Sequence, residues 1–125
     1  MRVRRTTIHP HRDARGMILE PLERGELSRY VTIHIAVSEP QAVRGNHCHP
    51  HCEEVLIVSG PGLVRFEDGE ECRDETVQAD EVARFDVAPG VAHAVRNTGD
   101  SPSLVIVFST RPTTNSGETV PVRLL

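Results

Sequence analysis

No lysine occurs in the 125-residue chain; all fourteen basic residues are arginines. A Schiff-base mechanism and a lysine general base are thereby excluded. Tryptophan is also missing and Tyr30 is the single tyrosine, which argues against a stacking platform for single-stranded nucleic acid. The arginines are scattered and the net charge is -4, so nucleic acid is not the expected partner. No run of eighteen apolar residues is present, and no membrane-spanning helix is expected. The N-terminal Met1-Arg2-Val3-Arg4-Arg5 is basic, but Thr6, His9 and Pro10 follow where a secretory signal would turn apolar; the cytoplasm is the expected compartment. Cys48, Cys52 and Cys72 are an odd number without a CxxC pair. Reduced thiols are expected, and a zinc site built on Cys48 and Cys52 is the disfavoured alternative.

Helical periodicity is nearly absent as well. Short runs rich in β-formers recur between clusters of Gly, Pro and Asp, which predicts an all-β domain. Strands are expected over residues 17–22, 29–37, 42–49, 53–58, 63–67, 82–87, 93–97 and 103–109, with an acidic hairpin edge over 70–76 and a last edge strand over 120–125. In the 29–37 segment Val31, Ile33, Ile35 and Val37 face one way, while Thr32, His34 and Ala36 face the other. Nine or ten short strands in a chain of this length predict one domain, a double-sheet sandwich or barrel that leaves few edges. Its core is expected at about 17–109, between an irregular N-terminal segment and a polar C-terminal tail that reads as loop from Arg111.

The chemistry concentrates in Gly45-Asn46-His47-Cys48-His49-Pro50-His51-Cys52-Glu53. On a strand, residues i and i+2 share a face, so His47 and His49 aim together and Cys48 turns away. Two imidazoles so placed can hold one ion at about 2.1 Å each. Pro50 stops the strand, and a hairpin would bring Glu53 opposite the histidines. His93, just after the Pro89-Gly90 turn, would add a third imidazole. His51, on the hairpin loop, and His9 and His11, near the N-terminus, are expected to be solvated. Gly60, Gly62, Gly90 and Asn97 are expected to serve turns and backbone geometry.

These residues resemble the two motifs of the cupin family: His47, His49, Glu53 and Gly60 for the first, and Gly90, His93 and Asn97 for the second. The six-residue gap to Gly60 selects Glu53 over Glu54; Gln41 stands where the first motif begins with glycine, and Ala88 replaces a proline. The resemblance implies a double-stranded β-helix, the cupin or jelly-roll barrel, with His47, His49, Glu53 and His93 as ligands of one divalent metal ion. A narrower likeness joins Asp13-x-Arg15-Gly16, Arg44-Gly45-Asn46-His47-x-His49, Asp86-Val87-x-Pro89-Gly90-x-x-His93 and Asn97-x-Gly99-Asp100. Together these are similar to the C-terminal cupin domain of capsular-polysaccharide UDP-sugar enzymes and to dTDP-keto-sugar epimerases and isomerases.

The resemblance implies a nucleotide-sugar epimerase or isomerase working on a 4-keto-sugar by metal-assisted proton abstraction, with zinc as the first expectation and a sugar nucleotide as substrate. If all four ligand positions bind metal, His34 and Tyr30 are the candidate bases; in the metal-free relatives the position of His47 is itself the base. Arg44 is the candidate contact for a phosphate or carboxylate, which its planar fork suits. Three histidines and a carboxylate also suit iron, manganese or nickel. A metal-dependent oxygenase and a non-catalytic module that binds a sugar or another small molecule therefore stand as alternatives. A homodimer is expected by family habit, with the apolar row Val31 to Val37 as a face that could form it.

Overall fold

A computed structural model describes residues 1–111 and 119–125. Twelve strands occur among them: β1 Val3–Ile8, β2 His11–Asp13, β3 Gly16–Ile18, β4 Thr32–Ser38, β5 Val43–Cys48, β6 Glu54–Ser59, β7 Gly62–Asp68, β8 Glu71–Val77, β9 Val82–Val87, β10 Ala92–Asn97, β11 Ser103–Ser109 and β12 Val120–Pro121. A single 3-10 turn, Glu26–Arg29, is the one helical element among the described residues, and no helix is long and apolar enough to cross a membrane. Two antiparallel five-stranded sheets face each other, in the orders β1-β9-β6-β11-β4 and β12-β5-β10-β7-β8; β2 and β3 form a separate hairpin. This is the all-β double-sheet barrel expected of the sequence.

Apolar side chains fill the space between the sheets. Leu56, Val58, Val64, Phe66, Val77, Phe85, Val95 and Val105 are buried there, with the Phe66 and Phe85 rings 5.2 Å apart. The first sheet carries a second apolar layer on its outer side. Val55, Ile57, Val82 and Phe108 form it, and Leu19, Leu22 and Tyr30 cover it from the segment before β4. Strands β6 and β11 are therefore apolar on both faces, which is why both read as continuous hydrophobic runs. The covering segment is clamped by Arg84, whose guanidinium donates to Glu26, to the Pro21 carbonyl at 3.2 Å and to Asp86 at 2.8 Å. That pairing holds the Glu26 carboxyl down at about 2.

Three expectations are corrected. The N-terminal segment is not irregular: Val3–Ile8 pairs along its length with β9, from Val3↔Val87 to Ile8↔Val82. Only Val3 of that strand is buried, so its alternation is too weak to mark it, as is common on a sheet edge. The 17–22 strand shrinks to β3, because Pro21 and the turn after it take the chain across the outer face. Finally, β5 and β6 are not a hairpin pair; they lie in opposite sheets. The loop expected over 112–117 lies outside the described residues.

The outer apolar layer runs out at β4, an edge strand. Ile33, Ile35 and Val37 pair with Phe108, Ile106 and Leu104 of β11, yet Ile35 remains 69% exposed and Val31, Ile33 and Val37 are each more than half exposed. The opposite face of β4 turns His34 and Ala36 inwards to a cavity.

Gly60 closes the turn between β6 and β7 against the turn that precedes β9. A Cβ there would lie 1.8 Å from the Gln78 carbonyl oxygen and 2.9 Å from that of Val77. Backbone atoms cannot yield as a flexible side-chain tip would. Gly60→Ala should cost about 3 kcal/mol or more, read as the loss of unfolding free energy in urea. A cost below about 1 kcal/mol would show that the two turns part freely.

Candidate metal centre

The backbone of β5 is bent where it meets β10. Gly45 has φ +90° and Asn46 +57°, and the register between the strands shifts at His93/Ala94. A Cβ on Gly45 would lie 2.7 Å from the His93 carbonyl oxygen, so only glycine lets the strands approach this closely. Beyond the bend, His47 pairs directly with His93, and His49 follows on the same face. The ring centroids of His47 lie 4.5 Å from His49 and 5.0 Å from His93. One nitrogen from each of the three rings lies within 4.8 Å of the others.

The carboxylate arrives from the opposite sheet, and it is Glu54. Its Oε1 lies 3.6 Å from Nε2 of His49 and 3.6 Å from Nε2 of His93. Glu53, selected by motif spacing, is turned outwards, half-exposed and ion-paired with Arg29 at 2.6 Å. The reason is parity. Leu56 and Val58 face the core between the sheets while Val55 and Ile57 face the outer layer, so along β6 the even-numbered residue points in. Since both faces of β6 are apolar, its sequence carries no sign of which is which.

Burial dominates the electrostatics. It pushes His49 down to about 4 and His93 to about 3, with neighbouring imidazoles adding to the effect, and it lowers His47 as well. The same burial raises Glu54 to about 7, opposed by the Ser109 hydroxyl at 3.4 Å. At neutral pH the Glu54–histidine contacts are therefore not ion pairs: the rings are neutral, with a lone pair free to donate. Nδ1 of His93 faces the Val91 carbonyl at 3.4 Å, which leaves its Nε2 towards Glu54. Three neutral imidazoles and one carboxylate that burial alone disfavours are a donor set suited to a divalent cation, whose charge would restore the carboxylate.

A cavity of about 530 Å³ opens over these groups, lined also by His34, Ala36, Arg44, Leu56, Val105 and Thr119. Arg44 is fixed at its rim, donating to Ser38 Oγ at 2.8 Å and to the Val37 carbonyl at 3.0 Å. His34 and Arg44 thus lie where the sequence places them. Tyr30 does not. It lies before β4, packs on Phe108 on the outer side of the sheet, and lines a different cleft with Arg29 and Glu53. The i, i+2 rule that would carry it to the side of His34 fails because β4 starts only at Thr32. Cys48, Cys52 and Cys72 form no disulfide, and His9, His11 and His51 are exposed. Asn97 is buried and serves backbone geometry, donating to the Ser38 and Ser101 carbonyls at 3.0 and 2.8 Å. Asp13, Arg15 and Gly16 build the exposed β2–β3 turn. Glu54 and Thr119 are the site residues that sequence reasoning misses.

Residues 11–117 match the family model of the polysaccharide biosynthesis C-terminal domain. Among solved structures, the chain is similar to the capsular polysaccharide assembling protein CapF from Staphylococcus aureus, at 24% identity and TM-score 0.66, over 94% of this chain but 33% of that one. It thus spans about a third of CapF. It is also similar to a 3,4-ketoisomerase from Helicobacter canadensis, at 20% identity and TM-score 0.75, covering 96% of this chain and 90% of the other. A third similar structure is ChmJ, a 3'-monoepimerase from Streptomyces bikiniensis in complex with dTDP-quinovose, at 19% identity and TM-score 0.79, covering 98% and 70%. At these identities the likeness establishes the fold. No curated protein sequence matches the chain.

The shifts fix a pH dependence for the metal-free protein. His49 and His93 are held below their ordinary 6.5 when folded, so the unfolded chain binds more protons and stability falls as the pH drops through 6.5. Glu54 runs the other way: held near 7 against an ordinary 4.5, it contributes stability that is full below 4.5 and lost as the pH rises through 7. Glu54→Gln removes this opposing contribution. Between pH 7 and 4.5 the variant should lose stability on acidification more steeply than the parent, by up to about 1.4 kcal/mol per pH unit, in denaturant titrations. Parallel curves would show that Glu54 is not held protonated.

Proposed function

The chain belongs to the polysaccharide biosynthesis C-terminal domain family, and on that footing we propose that it is a metal-dependent epimerase or isomerase of a nucleotide-linked 4-keto-sugar. The observation that carries this reading is the convergence of three neutral imidazoles and one buried carboxylate on the wall of an open cavity rimmed by an arginine. Support for the substrate class comes from the solved structures of like fold, among them a 3,4-ketoisomerase and a monoepimerase in complex with dTDP-quinovose.

His47, His49, His93 and Glu54 would hold one divalent ion, zinc being the first candidate for such donors, with iron, manganese and nickel also accommodated. When bound, such an ion polarises a substrate carbonyl and stabilises the charge that develops on its oxygen. The chain's own residues supply the rest. His34 reaches the cavity from the opposite sheet and is the base: an imidazole nitrogen takes the proton from the carbon next to the carbonyl; in isomerisation the imidazolium returns it to the former carbonyl carbon while the neighbouring hydroxyl proton passes to the carbonyl oxygen, and in epimerisation solvent protonates the opposite face. Arg44 is pre-oriented by Ser38 and Val37 and holds the phosphate of the nucleotide. The apolar wall formed by Leu56, Val105 and Val107 excludes water from the reacting face.

Solvent-deuterium incorporation into NDP-4-keto-sugars, followed by NMR, tests the reaction. The metal-loaded protein should exchange the proton next to the carbonyl, His34→Gln should slow exchange by about a hundredfold to ten-thousandfold, and Arg44→Ala should raise KM more than it lowers kcat. Exchange with no such sugar would sink the reading; unchanged exchange in His34→Gln would remove His34 from its role.

We assign the exposed row on β4 to a second copy of the chain. An antiparallel pairing of β4 with itself about Ile35 would set Ile33 of one copy against Val37 of the other. The row alone would bury on the order of 400 Å² per copy, about half of a standard interface, with its flanks supplying the remainder. Ile35→Glu should turn a dimer into a monomer in sedimentation equilibrium, and a parent that is already monomeric would refute the assignment.

A further inference from the structure

The C-terminal segment returns to the metal centre. β12 adds an edge strand to β5, with Val120↔Cys48 and Pro121↔His47. Asn46 secures it from both sides. Its backbone carbonyl accepts the Val122 N–H at 2.8 Å, and its side-chain oxygen accepts the N–H groups of Leu124 and Leu125 at 2.9 and 3.0 Å. Its side-chain nitrogen donates to the Leu125 carbonyl at 3.1 Å, and Arg65 donates to that of Leu124 at 3.0 Å. This anchoring puts Thr119 on the cavity wall, with Oγ1 3.4 Å from Nδ1 of His49.

The two histidines that touch Glu54 are thus built alike. Each presents Nε2 to the same carboxylate oxygen at 3.6 Å, and each has an oxygen 3.4 Å behind its Nδ1: the Val91 carbonyl for His93, the Thr119 hydroxyl for His49. The Val91 carbonyl can only accept, so it keeps the proton on Nδ1 of His93; the Thr119 hydroxyl can accept the same N–H from His49 when its own proton is turned away, and either arrangement leaves the Nε2 lone pair for a cation. We propose that Thr119 is a positioning residue, delivered by the C-terminal segment, whose hydroxyl selects the tautomer and ring orientation of His49. The proposal rests on the metal-site reading above but concerns a residue outside the two histidine motifs.

Zinc affinity is measured by chelator competition for the parent chain, Thr119→Val and Thr119→Ser. Valine keeps the volume and removes the hydroxyl. Thr119→Val should bind zinc about 10- to 100-fold more weakly with an unchanged thermal midpoint, and Thr119→Ser should restore the affinity. In the metal-free protein, 15N shifts of the His49 ring should report the Nδ1–H tautomer in the parent and in Thr119→Ser, and a shift towards Nε2–H in Thr119→Val. An unchanged affinity and tautomer in Thr119→Val would overturn the proposal. A parent chain that binds no divalent metal would overturn the functional reading instead, and the His49 tautomer would still decide the role of Thr119.

Discussion

The site depends on one close approach of main chains. At Gly45 the β5 backbone passes so near the His93 carbonyl that no side chain fits between them. Two consecutive residues, Gly45 and Asn46, take left-handed conformations there, which a regular strand would not allow. The bend does two things at once. It directs His47 and His49 across to His93, and it turns the Asn46 side chain outwards to hold the C-terminal segment. The imidazole cluster and the tail anchor are thus consequences of one irregularity in one strand.

Against that backbone constraint stands an electrostatic one. A carboxylate among neutral imidazoles, out of water, has no favourable charged state of its own, and its Oε1 contacts with two histidines give it no counter-charge. Burial favours the neutral form of all four groups, lowering the three histidines and raising Glu54 to about 7. The core around them, built on Phe66, Phe85 and the valines of both sheets, keeps the donors at fixed separations.

Much of this architecture was legible from the chain itself. Strand existence followed from alternation and from Gly, Pro and Asp punctuation; β9 and β11 were bounded at the residues the structure gives. The His47–His49–His93 cluster followed from parity and motif. The failures share a physical cause: information that sequence carries only where one face differs from the other. β6 is apolar on both sides, so the register that chooses Glu54 over Glu53 left no trace. Tyr30 lies off the face that strand parity assigns it because side-chain parity does not propagate through the turn that precedes β4. β1 escaped because an edge strand with one buried residue resembles a loop. Thr119 had no local signal whatever, since its place depends on pairing with a strand some seventy residues earlier.

Gln41 occupies the position where the first histidine motif begins with glycine, and its backbone nonetheless takes φ 64°. A non-glycine residue in that conformation costs of order 1 kcal/mol. Here the turn is held from outside: the Gln41 N–H donates to the Asn97 carbonyl at 2.8 Å, the Asn97 N–H donates to the Ala42 carbonyl at 3.0 Å, and the Gln41 side chain reaches the Gly99 carbonyl at 3.3 Å. A turn that glycine could take without strain is thus taken here by glutamine, and the asparagine that braces it from β10 ties the entry of β5 to the strand that carries His93.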